Sequence, residues 1–288
     1  MMANLTILVL GSNGFIGKNA VEYFEECGYN VFSPKRQELN LLDCAAVEGY
    51  LAELKPDVVL MSAVNINSLE ANVQIYFNLE RCSHLYGQLI TIGSGAEYDM
   101  RNYRPKMTED YFKAHIPADT YGLSKFIIGN DVAKSNKNII NLRVFGIFGK
   151  HEDYTRRFIS NNICRAIAGL DISMNQDMLF DYIYVRDFLA VLPRLFGVKA
   201  EHRNYNVCSN APVSFKLLAD QIAQVHPHDV RINIKTEGSK GEYSGDNSLF
   251  SNEFGPIIET PYEDSIAQLY NWYAEHPDIE AMVAKVRG

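Results

Sequence analysis

ILVLGSNGFIG, residues 7–17, limits what this chain can fold into more than any other stretch. An apolar run from Leu5 to Leu10, broken only by Thr6, ends at Gly11, and further glycines follow at Gly14 and Gly17. A run of that length and character fits a strand buried on both faces. Ala20, Val21, Phe24 and Cys27 then recur at helical spacing, and Gly28 stands where a helix needs a left-handed cap. The glycines therefore occupy a strand-to-helix turn, where each has a use. Gly11 permits the tight turn, Gly14 lets backbone approach a pyrophosphate, and Gly17 lets the helix pack closely on the sheet. Backbone N–H groups near Phe15 and Ile16 would face the anion, with Ser12 and Asn13 completing the loop. The bland alternative is a glycine-rich turn without a ligand. The usual spacing for a dinucleotide is G-x-G-x-x-G; here one extra residue separates the first two glycines.

Downstream the two periods keep alternating. Residues 29–33 suit a second strand, and Val47, Tyr50, Leu51 and Leu54 share a helical stripe that Pro56 stops. DVVLMSA (57–63) is a third buried strand, a helix runs to about Tyr86, and QLITIG (88–93) is a fourth strand. A helix over 120–135 has Asp119 or Thr120 as its N-cap. A strand over 138–145, a helix over 155–168, and short strands at 182–185 and 205–207 follow. Strands alternating with helices imply an α/β chain: a Rossmann-like, doubly wound parallel sheet covered on both faces. After about Pro212 the texture changes. A helix over 215–225, a short strand over 230–234, a Gly/Ser-rich stretch and a helix over 262–275 suggest a small α+β lobe. Within it, GEYSGDN is expected to be a mobile lid or disordered.

Charge and cysteine content exclude several classes. With 27 basic and 35 acidic residues the net charge is −8, which repels a phosphate backbone, so no nucleic-acid partner is expected. A few local donors can still hold a dinucleotide. The five cysteines are scattered, form no C-x-x-C, and are expected to be buried thiols in a reducing compartment; no metal site follows from their spacing. His226 and His228, flanking Pro227, have no ligand pattern beside them. The apolar run before Gly11 is too short for a signal peptide or a membrane span, so a cytoplasmic protein without a membrane partner is expected.

YGLSK places Tyr121 and Lys125 one turn apart on one helix face. An ammonium near a phenol favours the phenolate, which predicts a lowered Tyr121 pKa and proton exchange near neutral pH. The glycine spacing together with this pair resembles the short-chain dehydrogenase/reductase superfamily, in particular its extended branch that modifies nucleotide sugars. The resemblance extends over most of the chain, through RVFGIFG (143–149), DYIYVRD (181–187) and the carboxy-terminal ETPYEDSIAQLYNWY. It implies that Ser94, just past the fourth strand, completes a catalytic set with Tyr121 and Lys125. It also implies that residues 1–150 with 181–208 form the NAD(P)-binding domain, and 151–180 with 209–288 the substrate lobe.

The same resemblance places an acid at the end of the second strand in members that use NAD. This chain has Ser33 there, followed by Lys35 and Arg36, which would welcome a 2′-phosphate. NADP(H) is therefore expected over NAD(H), unless Lys35 and Arg36 are only a solvated pair. Asn40 and Leu41 would lie by the adenine, and Ala63 and Val64 would flank the cofactor. Tyr121 and Lys125 would also touch it.

Departures from the branch narrow the reaction. Its 4,6-dehydratases carry Asp-Glu where this chain has Gly95-Ala96, and its GDP-fucose synthases use a cysteine at Ala96 and a histidine near Arg157. Without those groups, water loss and ring-carbon epimerisation have no evident agents. Hydride transfer at C4 of a nucleotide sugar remains, with reduction of a 4-keto-6-deoxysugar favoured, 4-epimerisation with retained NAD second, and a dinucleotide-binding regulator third. Phe145, Arg156 and Arg157 are candidate substrate contacts, the arginines as a diphosphate clamp or as a solvated helix face. Apolar Phe126, Ile127 and Ile128 beside Lys125 suggest a homodimer through that helix, or a thoroughly buried one.

Overall fold

The computed structural model describes residues 5–288; the first four residues of the expected cofactor domain lie outside it. Thr6–Leu10 (β1) leads through the glycine turn into Phe15–Glu26 (α1), then Asn30–Phe32 (β2), Cys44–Leu54 (α2), Val58–Met61 (β3) and Leu69–Glu80 (α3). Gln88–Ser94 (β4), Thr120–Val132 (α4) and Ile139–Val144 (β5) follow. These strands form a six-stranded parallel sheet in the order β2-β1-β3-β4-β5, closed at the far edge by Asn204–Val207, which becomes β10 in chain order.

Strand alternation explains how both faces are covered. On β1 and β3, Ile7, Val9, Val58 and Leu60 enter one core cluster, while Leu8, Leu10, Val59 and Met61 enter the other. All eight are buried, and each contributes about 1.5–3 kcal/mol relative to exposure. The expected doubly wound sheet is thus present. Its chain direction switches between β1 and β3, and a crevice opens beyond the carboxyl ends of strands at such a switch.

The remainder is built from short elements: Gly146–Phe148 (β6), Phe158–Ile167 (α5), Ile172–Met174 (β7), Asp177–Phe180 (β8), Tyr182–Tyr184 (β9) and Val185–Val191 (α6). After β10 come Val213–Ser214 (β11), Phe215–Val225 (α7), Ile232–Ile234 (β12), Ser239–Tyr243 (β13), Ser248–Phe254 (α8), Tyr262–Ala274 (α9) and Ile279–Arg287 (α10). β8 is flanked by β11 and β13, and β7 pairs with β12. Pairing therefore joins 172–180 to 213–243, and Phe158 on α5 stacks on Phe215 of α7 at 4.2 Å.

Several expectations need correction. GEYSGDN is neither lid nor disordered: it ends β13 and buries Tyr243, Ser244 and Asn247. Short strands β7, β8, β11 and β13, and helices α6, α8 and α10, were not foreseen, because too few residues carry each periodicity. The helix expected to reach Tyr86 stops at Glu80, and the one expected from Thr155 begins at Phe158. Of the cysteines, Cys82, Cys164 and Cys208 are buried, but Cys27 is exposed and Cys44 intermediate, since both sit at helix ends. Among the described residues no helix is long and apolar enough to cross a membrane.

Candidate active site

The crevice at the switch point is a cleft of about 1490 Å³. That exceeds the roughly 300–1,000 Å³ of a typical small-ligand pocket and leaves room for two ligands side by side. One wall is the glycine turn. Gly11 has a φ of +89°, and a Cβ there would lie 2.5 Å from the Ala63 nitrogen, so the turn presses against the end of β3. A Cβ on Gly17 would come within 2.2 Å of the Gly11 carbonyl oxygen, so α1 starts against the loop itself. At Gly14 the nearest atom would be 3.3 Å away, and this residue instead faces the cleft. The cradle thus fits an approaching pyrophosphate, with the start of α1 behind it.

Gly11, Ser12, Asn13, Gly14, Phe15 and Ile16 line this wall, and Gly17 lies buried behind it. Asn40, Leu41, Ala63 and Val64 border the same space. The cations separate: Arg36 lines the cleft, whereas Lys35 does not, and the Lys35 backbone N–H donates to Glu38 Oε2 at 2.6 Å. Ser33 is also outside the lining; its carbonyl accepts from the Ser12 hydroxyl at 3.2 Å and so ties β2 to the cradle.

Ser94 closes β4, and Tyr121 lies in the first turn of α4. Asp119 caps α4, its Oδ1 accepting from the Gly122 N–H at 2.7 Å. A Cβ at Gly122 would meet the Ala96 carbonyl at 2.9 Å, so the start of α4 packs directly on the turn after Ser94. This close approach brings Ser94 and Tyr121 onto one stretch of the cleft wall. Lys125 stands behind them, buried, donating to the Ile92 carbonyl of β4 at 2.5 Å, with Nζ 5.9 Å from the Tyr121 ring centre.

The expected depression of the Tyr121 pKa is not found. Burial raises it, and the Ser94 hydroxyl only partly opposes the rise. Lys125 carries the opposite shift, pushed by burial down to about 8, with Glu97 resisting. Proximity along the helix had suggested phenolate; enclosure in protein keeps the phenol neutral.

The opposite wall belongs to the later segments. Phe145 lines it as expected, and so does Arg157. Arg156 turns away, 3.9 Å from Asp153 on the surface. Phe180, Tyr182, Tyr243 and Glu152 were not foreseen as site residues. A Cβ at Gly95 would collide with the Tyr243 hydroxyl at 2.2 Å, which places that hydroxyl beside the Ser94 turn. Glu152 is 6% exposed, accepts from Ser160 Oγ at 2.6 Å, and is pushed by burial up to about 8. Tyr182 was visible within DYIYVRD as a strand position, but nothing in the sequence pointed Tyr243 or Glu152 at the cleft.

Comparison with known proteins agrees with this geometry. A UDP-glucose 4-epimerase of Caenorhabditis elegans is 25% identical, covering 94% of this chain and 98% of its own. GDP-mannoheptose C4 reductase from Campylobacter jejuni, solved with NADP bound, superposes with a TM-score of 0.79 at 18% identity, over 95% of this chain and 99% of that one. WbmG from Bordetella bronchiseptica, solved with NAD and UDP, superposes with a TM-score of 0.81 at 19% identity, over 95% and 96%. The model of the NAD dependent epimerase/dehydratase family matches residues 7–208. With the glycine cradle at the sheet switch and Ser94, Tyr121 and Lys125 gathered at its edge, the chain belongs to the NAD-dependent epimerase/dehydratase family.

Proposed function

We propose that this enzyme reduces the 4-keto group of a nucleotide-linked 6-deoxysugar, with NADP(H) preferred over NAD(H). The observation that carries this reading is the hydroxyl pair Ser94 and Tyr121 on the wall of a cleft that begins at a dinucleotide cradle. Gly11 to Ile16 would hold the pyrophosphate and Arg36 a 2′-phosphate. The nicotinamide, when bound, supplies the hydride.

The chain's own residues handle the proton and the charge. The Tyr121 phenol, kept neutral by burial, is in the right state to give its proton to the substrate carbonyl oxygen. The Ser94 hydroxyl donates a hydrogen bond to that oxygen and stabilises the negative charge growing there. The Lys125 ammonium, held behind the strand, stabilises the phenolate left on Tyr121. Oxidation of an alcohol would start from the phenolate and reduction from the phenol, the form that burial favours at Tyr121. On the far wall, Phe145, Phe180, Tyr182 and Tyr243 offer apolar surface for a sugar, and Arg157 a cation for its diphosphate.

A second reading, 4-epimerisation of a nucleotide sugar with retained cofactor, is favoured by the name and full-length match of the C. elegans relative. The two separate in one assay. Reduction consumes one NADPH per NDP-4-keto-6-deoxysugar, followed by loss of nicotinamide absorbance; epimerisation interconverts NDP-sugars with none added. In the same proposal two copies meet through α3 and α4, where Phe77 is 38% exposed. Light scattering at twice the chain mass supports this, and at the chain mass contradicts it.

A further inference from the structure

A carboxylate that the proposed reaction does not use lies directly behind it. Glu97 is fully buried in the short turn after Ser94, and its two oxygens are held from three sides. Oε1 accepts from the Ser94 backbone N–H at 3.1 Å, and Oε2 accepts from Arg143 Nε of β5 at 2.6 Å. Asn141, two residues earlier on β5, donates Nδ2 to both oxygens at 3.1 and 3.2 Å.

Two glycines make room for this group. A Cβ at Gly93 of β4 would stand 2.4 Å from Glu97 Oε1, and one at Gly129 of α4 would stand 2.4 Å from Oε2. Gly93 adjoins Ile92, whose carbonyl receives the Lys125 ammonium, and Gly129 lies one turn beyond Lys125. The carboxylate therefore sits in a slot between the strand that ends in Ser94 and the helix that carries Tyr121 and Lys125. Burying such a charge is costly unless it is paired and fully hydrogen-bonded, as it is here.

We propose that Glu97 is a positioning residue: it pins the Ser94 backbone and supplies the negative charge that keeps the neighbouring Lys125 ammonium protonated, with Arg143 holding it in place. This rests on the reading of Ser94, Tyr121 and Lys125 as the reacting set. The groups facing the slot are Arg143 and Asn141 from β5, Ser94 and the Ile92 carbonyl from β4, Lys125 and Tyr121 from α4, and Tyr98 in its own turn. Glu109, farther out, acts on Arg143. Arg143 is itself fixed by Nη2 donating to Asn204 Oδ1 at 3.1 Å and by stacking 4.1 Å above Phe112. Desolvation alone drives Lys125 down, and Glu97 is the charge that opposes it.

Glu97→Gln removes the charge and keeps an oxygen that can accept from Ser94, so it separates electrostatics from shape. The experiment follows Lys125 in the full chain labelled with 13Cε-lysine, its resonance identified by its loss in Lys125→Met. Glu97→Gln is expected to lower the Lys125 titration midpoint by about one pH unit or more, a tenfold change in proton affinity. Arg143→Met removes a like charge while the Ser94 N–H and Asn141 still hold Glu97, so it is expected to raise the midpoint. A merely structural role would move both variants the same way, or neither, and either result overturns the proposal. If a single variant fails to fold, Glu97→Gln/Arg143→Met removes the buried ion pair together and still deprives Lys125 of its counter-charge, so its midpoint is expected below the wild-type value; one at or above the wild-type value contradicts the proposal. The titration needs no sugar substrate, so failure of keto reduction and failure of this proposal are read separately.

Discussion

The two walls of the cleft are made of different material. The proposed cofactor wall is backbone: Gly11, Gly14 and the start of α1 leave main-chain groups facing the space, and side chains are cut back there. The proposed substrate wall is side chain: Phe145, Phe180, Tyr182, Tyr243, Glu152 and Arg157 converge from the residue after β5, from β8, β9 and β13, and from the segment before α5. A backbone surface is indifferent to what the rest of the ligand carries, so it can serve one dinucleotide across many reactions. A side-chain surface can be altered one residue at a time, and on the proposed reading this is where selectivity for the sugar resides. Ser94 and Tyr121 stand at the seam between them.

Substitutions at the seam should cost most. Tyr121→Phe removes the proton donor and is expected to lower kcat by about 10²–10⁴-fold while NADPH affinity stays within twofold or so, measured by steady-state kinetics and fluorescence titration. Retained turnover would dissolve the seam altogether. On the cofactor wall, Gly17→Ala sets a methyl against immovable backbone 2.2 Å away. It is expected to weaken NADPH binding by roughly 10–100-fold and to lower the melting temperature, the usual consequence of overpacking. Arg36→Ala should weaken NADPH by about tenfold and leave NADH unchanged, whereas Lys35→Ala should do little, because only Arg36 borders the cleft. Equal effects on both cofactors would remove Arg36 from any phosphate site.

The smallest effect tests the substrate wall. Burial pushes Glu152 up to about 8 from an ordinary value of 4.5, while Ser160 pulls it back. The folded chain therefore holds a proton that the unfolded chain releases. The stability linked to this carboxyl is complete below about pH 4.5 and is lost as pH rises through about 8. Glu152→Gln mimics the protonated acid and should flatten that slope, leaving the variant a few degrees more stable than wild type near pH 9, by thermal melting. Parallel pH dependence in both would mean that Glu152 is ionised in the fold.

The same contrast decides how much was legible in the sequence. The strand, glycine turn and helix at residues 6–26 could be read because a backbone cradle needs glycines at fixed spacing beside a doubly buried strand. Tyr121 and Lys125 were legible as a helical pair, and Asp119 as the cap that starts their helix. Their protonation was not, because it depends on burial and on Glu97, which no local pattern links to Lys125. Tyr243 could not be assigned from sequence, since it reaches the site only by β13 pairing with β8, more than 60 residues earlier in the chain. Lys35 and Arg36 looked equivalent as neighbours; only the fold shows one facing the cleft and the other not.

The most direct test of the proposed reaction follows the hydride itself. The enzyme is incubated with NADPH deuterated on the transferred face and an NDP-4-keto-6-deoxysugar, and the product is examined by NMR and mass spectrometry. One deuterium at C4 of the product is expected for each NADPH oxidised, with Tyr121→Phe silent. Interconversion of C4 epimers of an NDP-sugar with no net NADPH consumed and no label incorporated would contradict it.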